Sequence, residues 1–89
     1  MQGQQLFDEK KYDAAVKIFE DVMQKFPGSD QAVNAAVEIG AAYQNREKFK
    51  EAGKVYQQIV EKYESKPKYT TQVDFAKAQL LAMQKAQLL

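Results

Sequence analysis

Apolar residues recur along this chain at spacings of three and four, the period of an α-helix with one buried face. Residues 12–26 place them at Tyr12, Ala15, Val16, Phe19, Val22, Met23 and Phe26. Residues 49–63 place them at Phe49, Ala52, Gly53, Tyr56, Ile59, Val60 and Tyr63, each 37 residues beyond its counterpart. A fixed period of roughly 20–50 residues marks a repeat architecture, in which each unit buries its apolar face against its neighbours. Such repeats present binding surfaces more often than reaction centres.

Polar breaks divide the pattern into five predicted helical segments. The first, about Gln2 to Asp8, reads as the last turns of a helix. The second runs from about Lys11 to Phe26 and stops at Pro27-Gly28, because proline cannot continue the hydrogen-bond ladder and glycine accepts the turn. Ser29 or Asp30 caps the third, which reaches about Gln44. The polar turn Asn45-Arg46-Glu47-Lys48 leads to the fourth, about Phe49 to Glu64. After Ser65-Lys66-Pro67-Lys68, Thr71 and Asp74 form a capping-box start for a fifth segment running towards the C-terminus. No run alternates with period two, so no strand is expected.

Short turns make neighbouring helices antiparallel. The expected fold is all-α, a series of tandem antiparallel helix-turn-helix units. It divides into a partial first repeat (1–27), a second repeat (28–66) and a C-terminal packing or capping helix (67–89). A glycine inside a helix costs roughly 1 kcal/mol relative to alanine. Gly40, one turn from Ala36, and Gly53, at the place of Val16, therefore mark close approach of paired helices.

Composition narrows the chemistry. Eighty-nine residues with 45% hydrophobic content make one small domain, and a net charge of +1 lacks the basic excess of nucleic-acid binding. No stretch approaches the roughly 20 apolar residues of a membrane span, and the N-terminus lacks the pattern of a signal peptide. Without cysteine or histidine, thiolate nucleophiles, sulfur-ligated metals and the commonest general base are missing. A cysteine-free chain suits the cytosol and the periplasm equally. Ser29, Ser65, Thr70 and Thr71 fall at helix starts or breaks, where hydroxyls cap. The carboxylate pairs Asp8-Glu9 and Glu20-Asp21 read as solvated faces, and Lys62, Lys66 and Lys68 as lysines around a loop. No catalytic, cofactor or metal site is expected.

The helix-turn-helix unit resembles the tetratricopeptide repeat family. Gly40 and Tyr43 match the small and aromatic positions of a unit's first helix; Phe49, Ala52 and Tyr56 match its second helix. Tyr12, Ala15, Phe19 and Pro27 match the preceding unit, with Gly3 and Leu6 at the end of that unit's first helix. The family's usual period is 34, its second unit would carry proline where Glu64 stands, and the last segment lacks a Gly-Tyr pair. Advancing Gly40 and Tyr43 by 37 reaches Lys77 and Leu80, whereas matching Pro67 to Pro27 reaches Leu80 and Met83. The longer spacing, with Phe26-Pro27-Gly28-Ser29, is similar to bacterial envelope members, the Tol-Pal-associated periplasmic proteins and outer-membrane assembly lipoproteins. That resemblance implies a periplasmic or cell-envelope location.

The resemblance also implies a protein–protein interaction scaffold that holds a peptide or helix of a partner in a groove lined by first helices. The expected groove residues are Gln4, Phe7 and Asp8 on the first segment and Asn34, Val37, Glu38, Ala41, Gln44 and Asn45 on the third. Val37 and Ala41 at its centre do not support a carboxylate clamp. The alternative is a structural or oligomerisation module. Ala78-Gln79-Leu80-Leu81 recurs as Ala86-Gln87-Leu88-Leu89, and neighbouring helices cover only one side of such a segment. Phe75, Leu81, Met83 and Leu88 are then the expected oligomer or packing face. Burying a leucine fully is worth roughly 1.5–3 kcal/mol, so this stripe implies either an excised part of a longer array or a second copy or partner.

Overall fold

The computed structural model describes residues 12–89; the expected first segment, with Gln4, Phe7 and Asp8, lies outside them. The described residues form α1 (Tyr12–Lys25), α2 (Asp30–Asn45), α3 (Phe49–Tyr63), a short 3-10 turn (Pro67–Tyr69) and α4 (Thr70–Lys85), with no strand among them. Each helix packs on the next in sequence, and α2 also touches α4 directly. The all-helical, antiparallel expectation matches this architecture.

Each boundary has a local cause. Pro27 follows α1, and Gly28 takes a left-handed φ of 74° that a side chain would resist. The Ser29 hydroxyl then accepts the Ala32 N–H at 3.1 Å, capping α2. Between α2 and α3 the chain reverses at Glu47, φ 60°. There the Glu47 N–H donates to Gln44 O at 3.0 Å and the Lys48 N–H to Tyr43 O at 2.8 Å, the Schellman arrangement.

The last helix departs from expectation at both ends. The Thr71–Asp74 capping box does not form. α4 starts at Thr70 without a side-chain cap, because the 3-10 turn supplies its first acceptor, Pro67 O. At the other end α4 stops at Lys85 instead of running on. Gln87 takes φ 59°, its N–H bonds Gln84 O at 3.0 Å, and the Leu88 N–H bonds Met83 O at 2.9 Å. That exchange of acceptors ends the ladder and turns Leu89 back over α3. The second Ala-Gln-Leu-Leu therefore lies in a turn and does not extend a helical stripe.

The limits of α4 stand 40 residues beyond those of α2 at both ends. The match of Pro67 to Pro27 is thus the correct register, and Leu80 and Met83 stand where Gly40 and Tyr43 stand in α2.

The larger core cluster joins α2, α3, the 3-10 turn and α4 through Val33, Ala36, Tyr56, Ile59, Tyr69, Val73 and Met83. A smaller cluster of Tyr12, Val16, Ile39 and Ala42 joins α1 to α2. Gly40 admits the Tyr56 ring so closely that a Cβ there would lie 2.6 Å from it. Gly53 also marks a close approach, but to Leu89 and not to the paired helix: a Cβ there would meet the Leu89 side chain at 2.6 Å. One stripe residue is no core residue at all, since Phe26 is 54% exposed. It sits where the chain turns at once through Pro27-Gly28, with no aromatic side chain following to cover it.

Candidate partner-binding surface

The α2 residues expected to line a groove divide into two groups. Asn34, Glu38 and Asn45 are exposed, whereas Val37, Ala41 and Gln44 are half-buried. Helix α4 lies beside them and makes polar pairs with two. The Gln72 side-chain amide donates to Asn34 Oδ1 at 3.1 Å, and the Gln44 amide donates to Gln79 Oε1 at 2.9 Å. Gln44 also accepts the Tyr56 hydroxyl at 3.0 Å. Burial first, and the Glu38 carboxylate second, push the Tyr56 hydroxyl up to about 12. Tyr56 therefore remains a neutral donor at physiological pH. Gln44 is a bridge among three helices, with its oxygen and one amide hydrogen already engaged.

Between the amide pairs the surface is apolar. Val37 and Ala41 come from α2; Phe75, 40% exposed, comes from α4 and meets the Tyr56 ring edge-on at a centroid distance of 6.0 Å. Phe75 thus belongs beside the groove residues. Leu81 and Leu88 are 52% and 38% exposed, as an outward face requires. Met83 is 2% exposed and packs in the monomer core, so it is unavailable to another chain. The reason is the register: at the Tyr43 position of the unit its side chain points into the bundle.

A second concavity lies apart from the expected groove. Helices α1 and α3 barely touch, and a cleft of about 370 Å³ opens between them over α2. Met23, Ile39, Val55 and Ile59 form its walls, with Glu20 and Lys62 among its polar lining. Burial and then the Glu20 carboxylate raise the pKa of Tyr43, which also lines it. The doubled stripe carried a signal for this cleft: both flanking helices use their stripes to face α2, which leaves the space between them unfilled.

Several of the hydroxyl and charged groups singled out in the sequence take structural places, while Asp8 and Glu9 lie outside the described residues. Thr70 Oγ1 donates to Pro67 O at 2.8 Å. Asp21 pairs with Lys25 at 3.0 Å within α1. Lys66 lies over the Tyr63 ring at 5.7 Å. Lys68 and Tyr69 converge on Asp30, with the Tyr69 hydroxyl at 2.8 Å and Lys68 Nζ at 3.0 Å from Oδ1. The hydroxyl, then the ammonium, holds the Asp30 carboxyl below its ordinary value. This cluster ties the start of α2 to the entry of α4.

Helices packed each on the next in sequence define an α-helical repeat. The tetratricopeptide repeat family model matches residues 6–71, most of the chain, and the protein belongs to that family. Neither a curated protein nor a solved structure matches it. Tetratricopeptide repeats generally mediate protein–protein interactions, and they are typically non-enzymatic scaffolds.

Proposed function

We propose that this protein binds an extended peptide segment of a protein partner along the α2–α4 face. The observation that carries the reading is the pair of amide bridges flanking an apolar centre. Each bridge leaves donors unspent: Asn34 Nδ2 and Gln79 Nε2 both retain hydrogens beside the surface. Asn34 and Gln44 are ten residues apart on one helix, about 15 Å at 1.5 Å per residue. That length spans about four to five residues of extended chain at roughly 3.3 Å each. The favoured segment offers backbone carbonyls to the two amides, an apolar anchor to Val37, Ala41 and Phe75, and a basic side chain to Glu38.

Affinity capture of partners from the source organism, with Val37→Arg and Ala41→Arg combined, tests the reading. The double variant should lose capture while keeping its helical circular dichroism. Capture that survives it but is lost on Glu20→Ala with Lys62→Ala would transfer the function to the α1–α3 cleft.

Exposed Leu81 on α4 and Leu88 in the turn after it favour a second reading, self-association through this C-terminal surface. A concentration-dependent dimer in sedimentation, abolished by Leu81→Glu with Leu88→Glu, is its expected signature; a monomer at high concentration removes it. An envelope location has the 37-residue spacing as its support.

A further inference from the structure

The cleft between α1 and α3 has its floor and both walls in described helices. Helix α2 forms the floor from Ala36 to Tyr43. These two are seven residues apart, so the floor is about 10 Å long at 1.5 Å per residue. The centre is apolar, with Met23 on one wall and Val55 and Ile59 on the other. Met23, Tyr43 and Val55 pack against both core clusters, yet each is only half-buried. The seam between the two clusters therefore keeps apolar surface in contact with water.

The two ends of the cleft differ in charge. Glu20 and Lys62 are the charged residues of its lining. Tyr43 marks the end that holds Glu20. After burial, the Glu20, Glu51 and Asp13 carboxylates raise its pKa against the opposing effect of Arg46. Lys62 belongs to the other end, because its neighbour Tyr63 packs on Tyr69, whose hydroxyl bonds Asp30 at the start of α2. Lys66 adds a second ammonium there, 5.7 Å from the centre of the Tyr63 ring. Lys68, 3.0 Å from the Asp30 carboxylate, offsets that negative charge.

We propose that this cleft docks a helix of a partner that carries an acidic and a basic residue two turns apart, with an apolar residue between them. The basic residue meets Glu20, and the acidic one meets Lys62. A volume of about 370 Å³ takes a few side chains. The partner's backbone, in a helix about 10 Å across, rests on the walls and lowers its apolar side chain between Met23, Val55 and Ile59. Spacing selects a helix. Residues i and i+7 share a helix face about 10 Å apart, the length of the floor. Same-face residues of an extended chain fall about 7 or 13 Å apart at roughly 3.3 Å per residue. The site shares no lining residue with the α2–α4 face.

The test is an NMR titration of the isotope-labelled 89-residue chain with a designed, end-capped helical peptide. The peptide carries glutamate, leucine and lysine at i, i+4 and i+7 on an alanine–glutamine background. One control peptide replaces the leucine by serine, and another replaces both charged residues by glutamine. Saturable shifts centred on Met23, Ile39, Val55 and Ile59 are expected, with the serine control at least tenfold weaker and the glutamine control at least threefold. Glu20→Lys or Lys62→Glu alone makes the two ends alike and should weaken binding at least threefold. The two combined should restore it, because the peptide can then lie turned end for end. Val37→Arg with Ala41→Arg should leave the titration unchanged, so each surface stands or falls separately. Equal binding of the controls, shifts centred on the α2–α4 face, or indifference to the single charge variants overturns the proposal. So does sedimentation showing that a second copy occupies the cleft and excludes the peptide.

Discussion

Helices α1 and α3 carry one apolar stripe in two settings. In α3, Tyr56 and Ile59 are 0% and 1% exposed, and Tyr63 is buried under Tyr69 with ring centroids 5.2 Å apart. Their counterparts Phe19 and Val22 in α1 are only half-buried, and Phe26 is exposed. The difference lies in the neighbours. Helix α3 has α2 on one side and α4 on the other, and the longer chain after it folds Tyr69 back over its end. Helix α1 is followed by a tight proline–glycine turn that returns nothing to cover Phe26. Among the described residues, the same spacing thus yields fully buried side chains in α3 and half-buried ones in α1. A repeated sequence specifies which face turns inward, but its neighbours set how much of that face leaves water.

The largest expected effect comes from the matched pair Tyr56→Ala and Phe19→Ala. Emptying the fully buried site should cost about 3–5 kcal/mol, and the half-buried one about half as much. Urea unfolding followed by circular dichroism reads both. Equal losses would mean that α1 is as enclosed as α3 and would dissolve the comparison.

A second pair sharpens it at the two close approaches. Gly40→Ala drives a Cβ into the Tyr56 ring, which is held between helices, and should cost about 1–3 kcal/mol despite the gain in helix propensity. Gly53→Ala meets only the flexible end of Leu89. That side chain can swing aside, so helix propensity should win and the change should be neutral to stabilising by up to about 1 kcal/mol. The thermal midpoint should fall for Gly40→Ala and hold or rise for Gly53→Ala.

The smallest effect concerns the tie between the α2 start and the α4 entry. The folded pKa of Asp30 lies below its ordinary 3.8, so the stability it contributes is complete above that value and is lost as pH falls through the lower folded value. Tyr69 and Lys68 are raised above 10.0 and 10.5, chiefly by their bonds to Asp30. Their contribution is complete below those values and is lost as pH rises through the folded ones. Denaturation midpoints of the parent should therefore decline in strong acid and in strong alkali. Asp30→Asn should flatten both declines, and a variant with unchanged limbs would detach this cluster from the stability of the α3–α4 half.

Much of the fold is legible from local rules. Period and spacing identify the helices, and Pro27-Gly28 and Ser29 mark a boundary through backbone chemistry that acts within a few residues. Gly40 signals its close contact because a helical glycine has a cost that packing must offset. The groove is legible only in part. Val37 and Ala41 follow from the face of α2, but the engagement of Gln44 with Tyr56 and Gln79 depends on three helices meeting at one place. The sequence pattern puts Phe75 and Met83 on one face, and the register separates them by burying the second.

By itself, then, the sequence determined the helical class, the repeat and its inward face, since these rest on periodicity and local turn chemistry. Only the tertiary structure decided the 40-residue register of α4, the turn that brings Leu89 over Gly53, the amide bridges between α2 and α4, and the cleft beside α1. Each of these depends on distances between segments far apart in the chain. Residue spacing constrains such distances only through packing.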